Sequence, residues 1–597
     1  MNLVYLYIIL PLIAALICAF TKEENKLVRN ITTFTTSTVV LVFSFLNISK
    51  FFLFAKELLG DFNMYMMFRI DTFSSYLIFA VAGFVFLTLI YAMSYLKDKP
   101  LSKWFHFNLM ITLSFACGVL MADSFILLLL FWEGLLLSLY GFLVLSNNTQ
   151  EARDTALKAF IINGLGDILL LGGFAILGLK GLSTLSEFSI VKIDATGWNA
   201  AAFIMVGLGA LAKAGIFFFH GWIPNAAKTA NSAFMAIMPG SIEKILSIYF
   251  FTKVVLGLFN FCATPLKFVF AGLGIITVLY AVISSLWQTD IRKFLAYQVI
   301  AQIGLFAIAP VFKHLHTATE AAQYSVNHAV YKAAILAGLF LAIGAIEHKM
   351  KTTDISKLGG LLKKMPITSI SFIALSLGLM GITASDLFFT HHSLFYWITE
   401  SNSYLFIVLM LSANLLIVPA FIRVIKPVFL DGFKKATKIE EAPITMLLPI
   451  IVLTIVGTLF ASGWEFNLTG HLWLPHIGFD KMSMINLTII IIGFLLYIVG
   501  TEKLLNLPII KQIASLGKSE TADCYKIGMD TVSAFANFLF KIDRLTDYLI
   551  DTLPVKITKA TATYTSNLHK GYSSAYIVWA VIGLIIFVLL VKTGFGL

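Results

Sequence analysis

GLGALAKAGIFFFHGW (207–222) and MPGSIEKILSIYF (238–250) decide how this chain is read. Each is an apolar run of helical length with a lysine deep inside it, Lys213 in the first and Lys244 in the second. Each also carries residues that disfavour a continuous helix: Gly215 and Pro224 in or just past the first, Pro239 and Gly240 in the second. An ionised side chain at bilayer depth costs at least about 2.5–3.5 kcal/mol on the mildest scale, so it faces a bundle interior or a water-filled path. An interrupted apolar segment bearing such a group is the sequence sign of an ion site.

Working outward, the same pattern recurs. Glu133 sits mid-span in LLLFWEGLLLSLYGF (128–142), where an unpaired carboxylate would be very unfavourable. It either locks two helices as a structural ion pair or changes its pairing during transport. Lys213 has apolar or small residues before it, which argues against snorkelling to an interface. A desolvated lysine releases and rebinds a proton readily. Lys244 has Glu243 beside it, and neighbours in sequence point about 100° apart on a helix, so each needs its own partner. His328 and Lys332, in YSVNHAVYKAAIL, are i,i+4 and share one helix face. His391 follows a glycine-bearing break at Gly378 and Gly381. A carboxylate, three lysines and two histidines on successive spans form the pattern of a proton relay, and Asp167, His220, Glu243 and His392 are secondary candidates. The pair His391–His392 alone does not make a metal-ligand set.

Composition agrees. Of 597 residues, 59% are hydrophobic and 13% charged, against roughly 25% charged in soluble domains. Apolar stretches of about 20 residues each span a bilayer as a helix. Sixteen such stretches are expected, the first a retained helix rather than a signal peptide, with Asp123 separating the fourth from the fifth. The net charge of +11 is explained without nucleic acid. With the N-terminus outside, Lys and Arg favour the inner side by roughly three to one, through loops such as KDKPLSK (97–103) and RVIKPVFLDGFKKATK (423–438). Four scattered cysteines have no metal spacing, and no nucleotide-binding fingerprint occurs. No cofactor, no metal and no catalysis by this chain alone are expected.

The organisation read from the sequence is an N-terminal three-helix segment (1–100), two inverted five-helix repeats (101–260 and 261–430), C-terminal helices (431–502), an amphipathic lateral segment (503–575) and a last span (576–597). In the lateral segment Phe535, Phe538, Leu539, Ile542, Leu545 and Leu549 recur at helical steps as one apolar face. Pro508 and Pro554 are expected to break it.

At these residues the chain resembles the antiporter-like membrane subunits of respiratory complex I, of Mrp-type cation/proton antiporters and of Ech-type and formate-hydrogenlyase-type membrane hydrogenases. The matching stretches include RIDTFSSYLIFAVAGFVFLTLIYAMSYL (69–96), FWEG (131–134), KAFIINGLGDILL (158–170), QTDIRKFLAYQVIAQIG (288–304), NHAVYKA (327–333) and SKLGGLLKKMPI (356–367). The resemblance implies that Glu133 partners Lys213, that Lys244 is the eighth-helix cation and that His328 and Lys332 are the eleventh-helix pair. At position 391 the chain departs from the family pattern, with histidine in place of lysine. The function it implies is proton translocation by one subunit of a redox-driven complex, with other membrane-arm subunits, a soluble redox arm and the lipid bilayer as partners. The alternative is a stand-alone Mrp-like Na+/H+ antiporter or an inorganic-carbon pump subunit.

Overall fold

The computed structural model describes residues 5–48, 68–70, 72–97, 102–146, 149–185, 192–260, 265–312, 318–382, 404–432, 439–459, 465–466, 472–473, 481–505, 507–508, 511–512, 524–569 and 571–594. His391 and His392 lie outside the described residues, as does Thr383 of the neighbouring break.

The chain is an all-α polytopic membrane protein. In order, its main helices are α1 (Leu6–Phe20), α2 (Lys26–Ile48), α3 (Thr72–Tyr95), α4 (Ser102–Met121), α5 (Phe125–Ser146), α6 (Gln150–Gly178), α7 (Gly197–Ala214), α8 (Trp222–Thr229), α9 (Ser232–Ile237) and α10 (Glu243–Thr252). They continue as α11 (Lys267–Ser285), α12 (Ile291–Phe312), α13 (Ala318–Met350), α14 (Pro366–Leu379), α15 (Tyr404–Ile425), α16 (Ile444–Leu459) and α17 (Lys481–Leu505). The last three are α18 (Cys524–Asp547), α19 (Leu553–Leu568) and α20 (Ser573–Gly594). Among the described residues 11 helical segments are long and apolar enough to cross a membrane, and four shorter apolar helices accompany them. Asp123 lies in the short break between α4 and α5, as expected.

The chain divides into two compact units, Met1–Tyr525 and Lys526–Leu597. In the first, the segment Ser232–Thr252 is buried along its whole length and α13 is nearly so from Asn327 onward. These two central elements pack on each other, α13 also packs on α14 and α16, and α7 packs on α10. Small residues let the surrounding helices approach closely. A Cβ on Gly166 of α6 would stand 2.5 Å from Ala212 of α7, and one on Gly304 of α12 would stand 2.5 Å from the Gly274 carbonyl of α11. Polar knots pin the ends. Glu347 of α13 accepts from Tyr95 and Ser232, both at 3.2 Å, and pairs with Arg292 at 3.4 Å, so α3, α9, α12 and α13 share one carboxylate. Glu441 accepts from the Thr368 hydroxyl at 2.6 Å and the Ile367 N–H at 2.8 Å, capping α14 behind Pro366.

In the second unit, α18 and α19 are joined by a π-helical turn, Tyr548–Thr552, and α20 follows. Pro554 therefore does not break the helix. It sits at the start of α19, directly after the wider turn, where a missing N–H leaves no regular bond unmade. The apolar residues Phe535, Phe538, Leu539, Ile542, Leu545 and Leu549 are all about half exposed.

Candidate functional site

Lys213 occupies the last turn of α7, where the chain turns out of the helix at Gly215. Gly215 has φ +91°, and a Cβ there would lie 2.4 Å from the Ile223 methyl, so the position demands glycine for both conformation and space. The stretch to α8 is irregular, and Phe218 also takes a positive φ of 75°. This is the interruption that Gly215 and Pro224 suggest in the sequence.

The Lys213 ammonium, 1% exposed, forms an ion pair with Asp167 of α6 at 3.7 Å. It donates to the Trp132 carbonyl at 3.0 Å and lies 4.8 Å from the Trp132 ring centroid. Trp132 in turn donates its indole N–H to the other Asp167 oxygen at 2.7 Å. Three helices, α5, α6 and α7, thus converge on one buried pair. The sequence resemblance assigns Glu133 to that role. The structure puts Asp167 in direct contact with Lys213, while Glu133 turns its side chain toward the outside of this bundle and stays within electrostatic range of both Lys213 and Asp167. The reason is helical geometry: Trp132 and Glu133 are about 100° apart on α5, and the bulky indole takes the inward position.

His220 lies in the irregular stretch, 2% exposed, stacked 5.6 Å from Phe217 and tilted against Tyr280 at 4.6 Å. Its Nδ1 has no hydrogen-bond partner among the described residues.

Glu243 and Lys244 open α10 immediately after a π-helical turn, Met238–Ile242. Pro239 supplies no N–H, and the Ser241 hydroxyl bonds the Ala236 and Ile237 carbonyls, both at 2.9 Å. The loosening that Pro239 and Gly240 predict is therefore a π-turn rather than a gap. Both side chains are buried, and neither the Glu243 carboxylate oxygens nor the Lys244 ammonium has a hydrogen-bond partner among the described residues. The two look different ways. Glu243 lies within electrostatic range of Lys213 and Asp167, and Lys244 within that of Lys332. The adjacent pair thus joins two groups of charge, one on each side of the fully buried segment.

Lys332 of α13 donates to the Gly378 carbonyl in the last turn of α14 at 2.9 Å. That helix ends at Leu379, and Gly381 follows with φ +75°. Carbonyls near a helix C-terminus lack partners within the helix and favour a cation. Lys213 sits in the last turn of its own helix, so both lysines stand where a helix is interrupted. His328, one turn before Lys332, packs its ring 4.9 Å from Phe306 of α12, and Lys244 lies 5.9 Å from that same ring. Gln298 and Gln302, two turns and one turn before Phe306, are wholly buried. The reading of the sequence does not single them out, although two amides at i,i+4 in an apolar span are a legible signal.

Residues 122–416 match the family described as "NADH:quinone oxidoreductase/Mrp antiporter, TM". Just under half of the chain, its central part, is thus similar to the antiporter-like membrane subunits of the complex I/Mrp superfamily. It is 27% identical over 467 residues to the A1 subunit of a Na+/H+ antiporter from Staphylococcus saprophyticus, covering 69% of this chain and 56% of that protein. It is 26% identical over 492 residues to a Na+/H+ antiporter subunit from Alkalihalophilus pseudofirmus, covering 72% and 59%. The chain therefore spans well under two thirds of these relatives. Its fold is similar to a chain of the Mrp complex from Dietzia sp. DQ12-45-1b, with TM-score 0.68 at 16% identity, covering 84% of this chain and 99% of that one. A chain of the archaeal membrane-bound sulfane sulfur reductase, a respiratory membrane complex, gives TM-score 0.65 at 19% identity with the same coverages.

Proposed function

We propose that this chain carries protons across a prokaryotic plasma membrane as one subunit of an Mrp-type Na+/H+ antiporter complex. The observation that carries the reading is the Asp167–Lys213 pair at an interrupted helix, linked through Glu243 and Lys244 to Lys332 at a second interruption. The sequence relatives named as Na+/H+ antiporter subunits support the Mrp-type reading over the redox-driven one. The redox-driven reading rests on a likeness of fold to a respiratory complex.

The mechanism is electrostatic. Like charges in a low dielectric repel strongly, so a charge entering one site lowers the proton affinity of the next. A proton arriving near Asp167 weakens its pair with Lys213. The change in field reaches Glu243, then Lys244 across the helix, then Lys332 and His328, and His391 is the outward group. Glu133, on the outer face of α5, extends the same line toward a neighbouring subunit. Around this core we place sixteen spans with the N-terminus outside, two inverted five-helix repeats at 101–260 and 261–430, and the amphipathic α18–α19 on the cytoplasmic side.

The test uses everted membrane vesicles from cells lacking their own Na+/H+ antiporters and expressing the full complex. Adding sodium should collapse an imposed pH gradient, followed with a pH-sensitive dye, and Lys213→Ala should abolish the response. A Lys213→Ala complex that exchanges at the wild-type rate would overturn the reading.

A further inference from the structure

On the α13 side of the buried segment, Lys244 and His328 meet across a single apolar ring. Phe306 of α12 is 1% exposed and packs with Ile248 of α10 and Ala329 of α13 in a small apolar cluster separate from the main core. The Lys244 ammonium lies 5.9 Å from the ring centroid. The His328 ring stands against the same ring at 4.9 Å, with 73° between planes. Lys244 has no hydrogen-bond partner among the described residues, so no hydrogen bond joins it to His328 or Lys332. What Lys244 and His328 have in common is the hydrocarbon face of Phe306.

The space beside that ring is polar. Gln302, one turn before Phe306, is wholly buried, and both atoms of its amide lack partners among the described residues. One turn earlier, Gln298 donates to Ser285 at 3.0 Å but leaves its oxygen unpartnered. Ser247 of α10, one turn after Glu243, has an unpartnered hydroxyl as well. Buried amides and hydroxyls in this condition are ordinarily satisfied by internal water. A line of polar groups therefore runs along α12 and ends at Phe306.

A proton moves between groups only through a hydrogen bond or a bridging water. An apolar constriction stops such movement by excluding water. We propose that Phe306 is the gate of the path, closing the step between Lys244 and the His328–Lys332 pair until the ring moves aside. The charged ammonium on the ring face favours the closed position through a cation–π contact, and the ring must leave that contact before the Lys244 proton passes to the His328–Lys332 pair. This inference rests on the translocation reading and adds the element that prevents an uncoupled leak.

The test measures passive leak and needs no driving ion. Everted vesicles carrying the full complex are given a pH gradient in sodium-free buffer, and its decay is followed with a pH-sensitive dye. Phe306→Ala opens room for water and should speed the decay several-fold over wild type. Phe306→His keeps a ring of similar shape but adds a group that carries a proton, and should also leak, which separates gating from lost packing. Adding Lys244→Ala to Phe306→Ala should restore the slow decay, because the leak must pass that lysine. If both single variants decay as slowly as wild type, Phe306 is not a gate, whatever the sodium-driven assay shows. A leak that persists in the double variant also overturns the proposal, since it would come from damaged packing. Failure of the translocation reading is seen separately, as sodium-driven exchange untouched by Lys213→Ala.

Discussion

Trp132 and Glu133 are neighbours in sequence and point about 100° apart on α5, so the indole touches the Asp167–Lys213 pair directly while the Glu133 carboxylate acts on it only through its field. Asp167 and Lys213 are the buried pair, so they are the residues whose separate loss should cost most. Removing one member of a buried ion pair costs about 3–5 kcal/mol, because the other charge is left unpaired. Asp167→Ala and Lys213→Ala should each lower the thermal stability of the detergent-solubilised chain and abolish exchange. The double variant should regain much of the stability and none of the exchange, which a melting curve and the vesicle assay will separate. Glu133→Gln should leave stability near wild type, since its side chain is exposed within this chain, and should reduce exchange only in the assembled complex. Loss of stability in Glu133→Gln alone would show that the carboxylate is tied into this bundle after all.

Elements are interrupted at three places near the buried charges, and each interruption has a local cause. Gly215 lets α7 end beneath Lys213, Gly381 follows the end of α14 beside Lys332, and Pro239 builds the π-turn before Glu243 and Lys244. Gly215→Ala should destabilise the chain by about 1–3 kcal/mol, since a strained φ costs roughly that much, and the added Cβ meets Ile223 besides. A fall in folded protein recovered from membranes would measure it. Pro239→Ala acts in the opposite sense. It returns an N–H, favours a regular α-helix, and turns Glu243 and Lys244 by up to about 100° relative to their present faces. Stability should hold or rise while exchange falls; full exchange with a raised melting temperature would mean that the π-turn does not orient the pair. The stripe Phe535, Phe538, Ile542 and Leu545 on α18 is a different kind of element, apolar and half exposed. Replacing these four with serine should weaken retention of neighbouring subunits on size-exclusion chromatography while the chain itself still inserts.

At the scale of the molecule, the proposed antiporter complex would give a carboxylate on the outer face of α5 at bilayer depth and an exposed apolar stripe on α18 further membrane subunits to meet. Affinity purification of the full chain in mild detergent should recover other multi-pass membrane proteins. Recovery of a soluble redox arm with them would return the redox-driven reading to first place, and recovery of membrane subunits alone would favour the Mrp-type one.

Hydropathy and charge bias make the membrane class legible, because a bilayer admits only long apolar helices and sorts basic loops to one side. Of the sixteen expected spans, eleven coincide with helices long and apolar enough to cross a membrane among the described residues. The titratable residues at bilayer depth are legible too, since burial of charge is rare enough to be a signal by itself. Their partners are not. Whether Lys213 meets Glu133 or Asp167 depends on how α5 is rotated against α6 and α7, a choice made by the packing of Trp132 and the close contact at Gly166. That Glu243 and Lys244 serve opposite sides follows from the single buried segment that carries them between the two groups. The shared ring of Phe306 joins α10, α12 and α13, which lie far apart in sequence. Periodicity along one helix fixes which residues share a face; which face meets which neighbour is decided by how the helices pack.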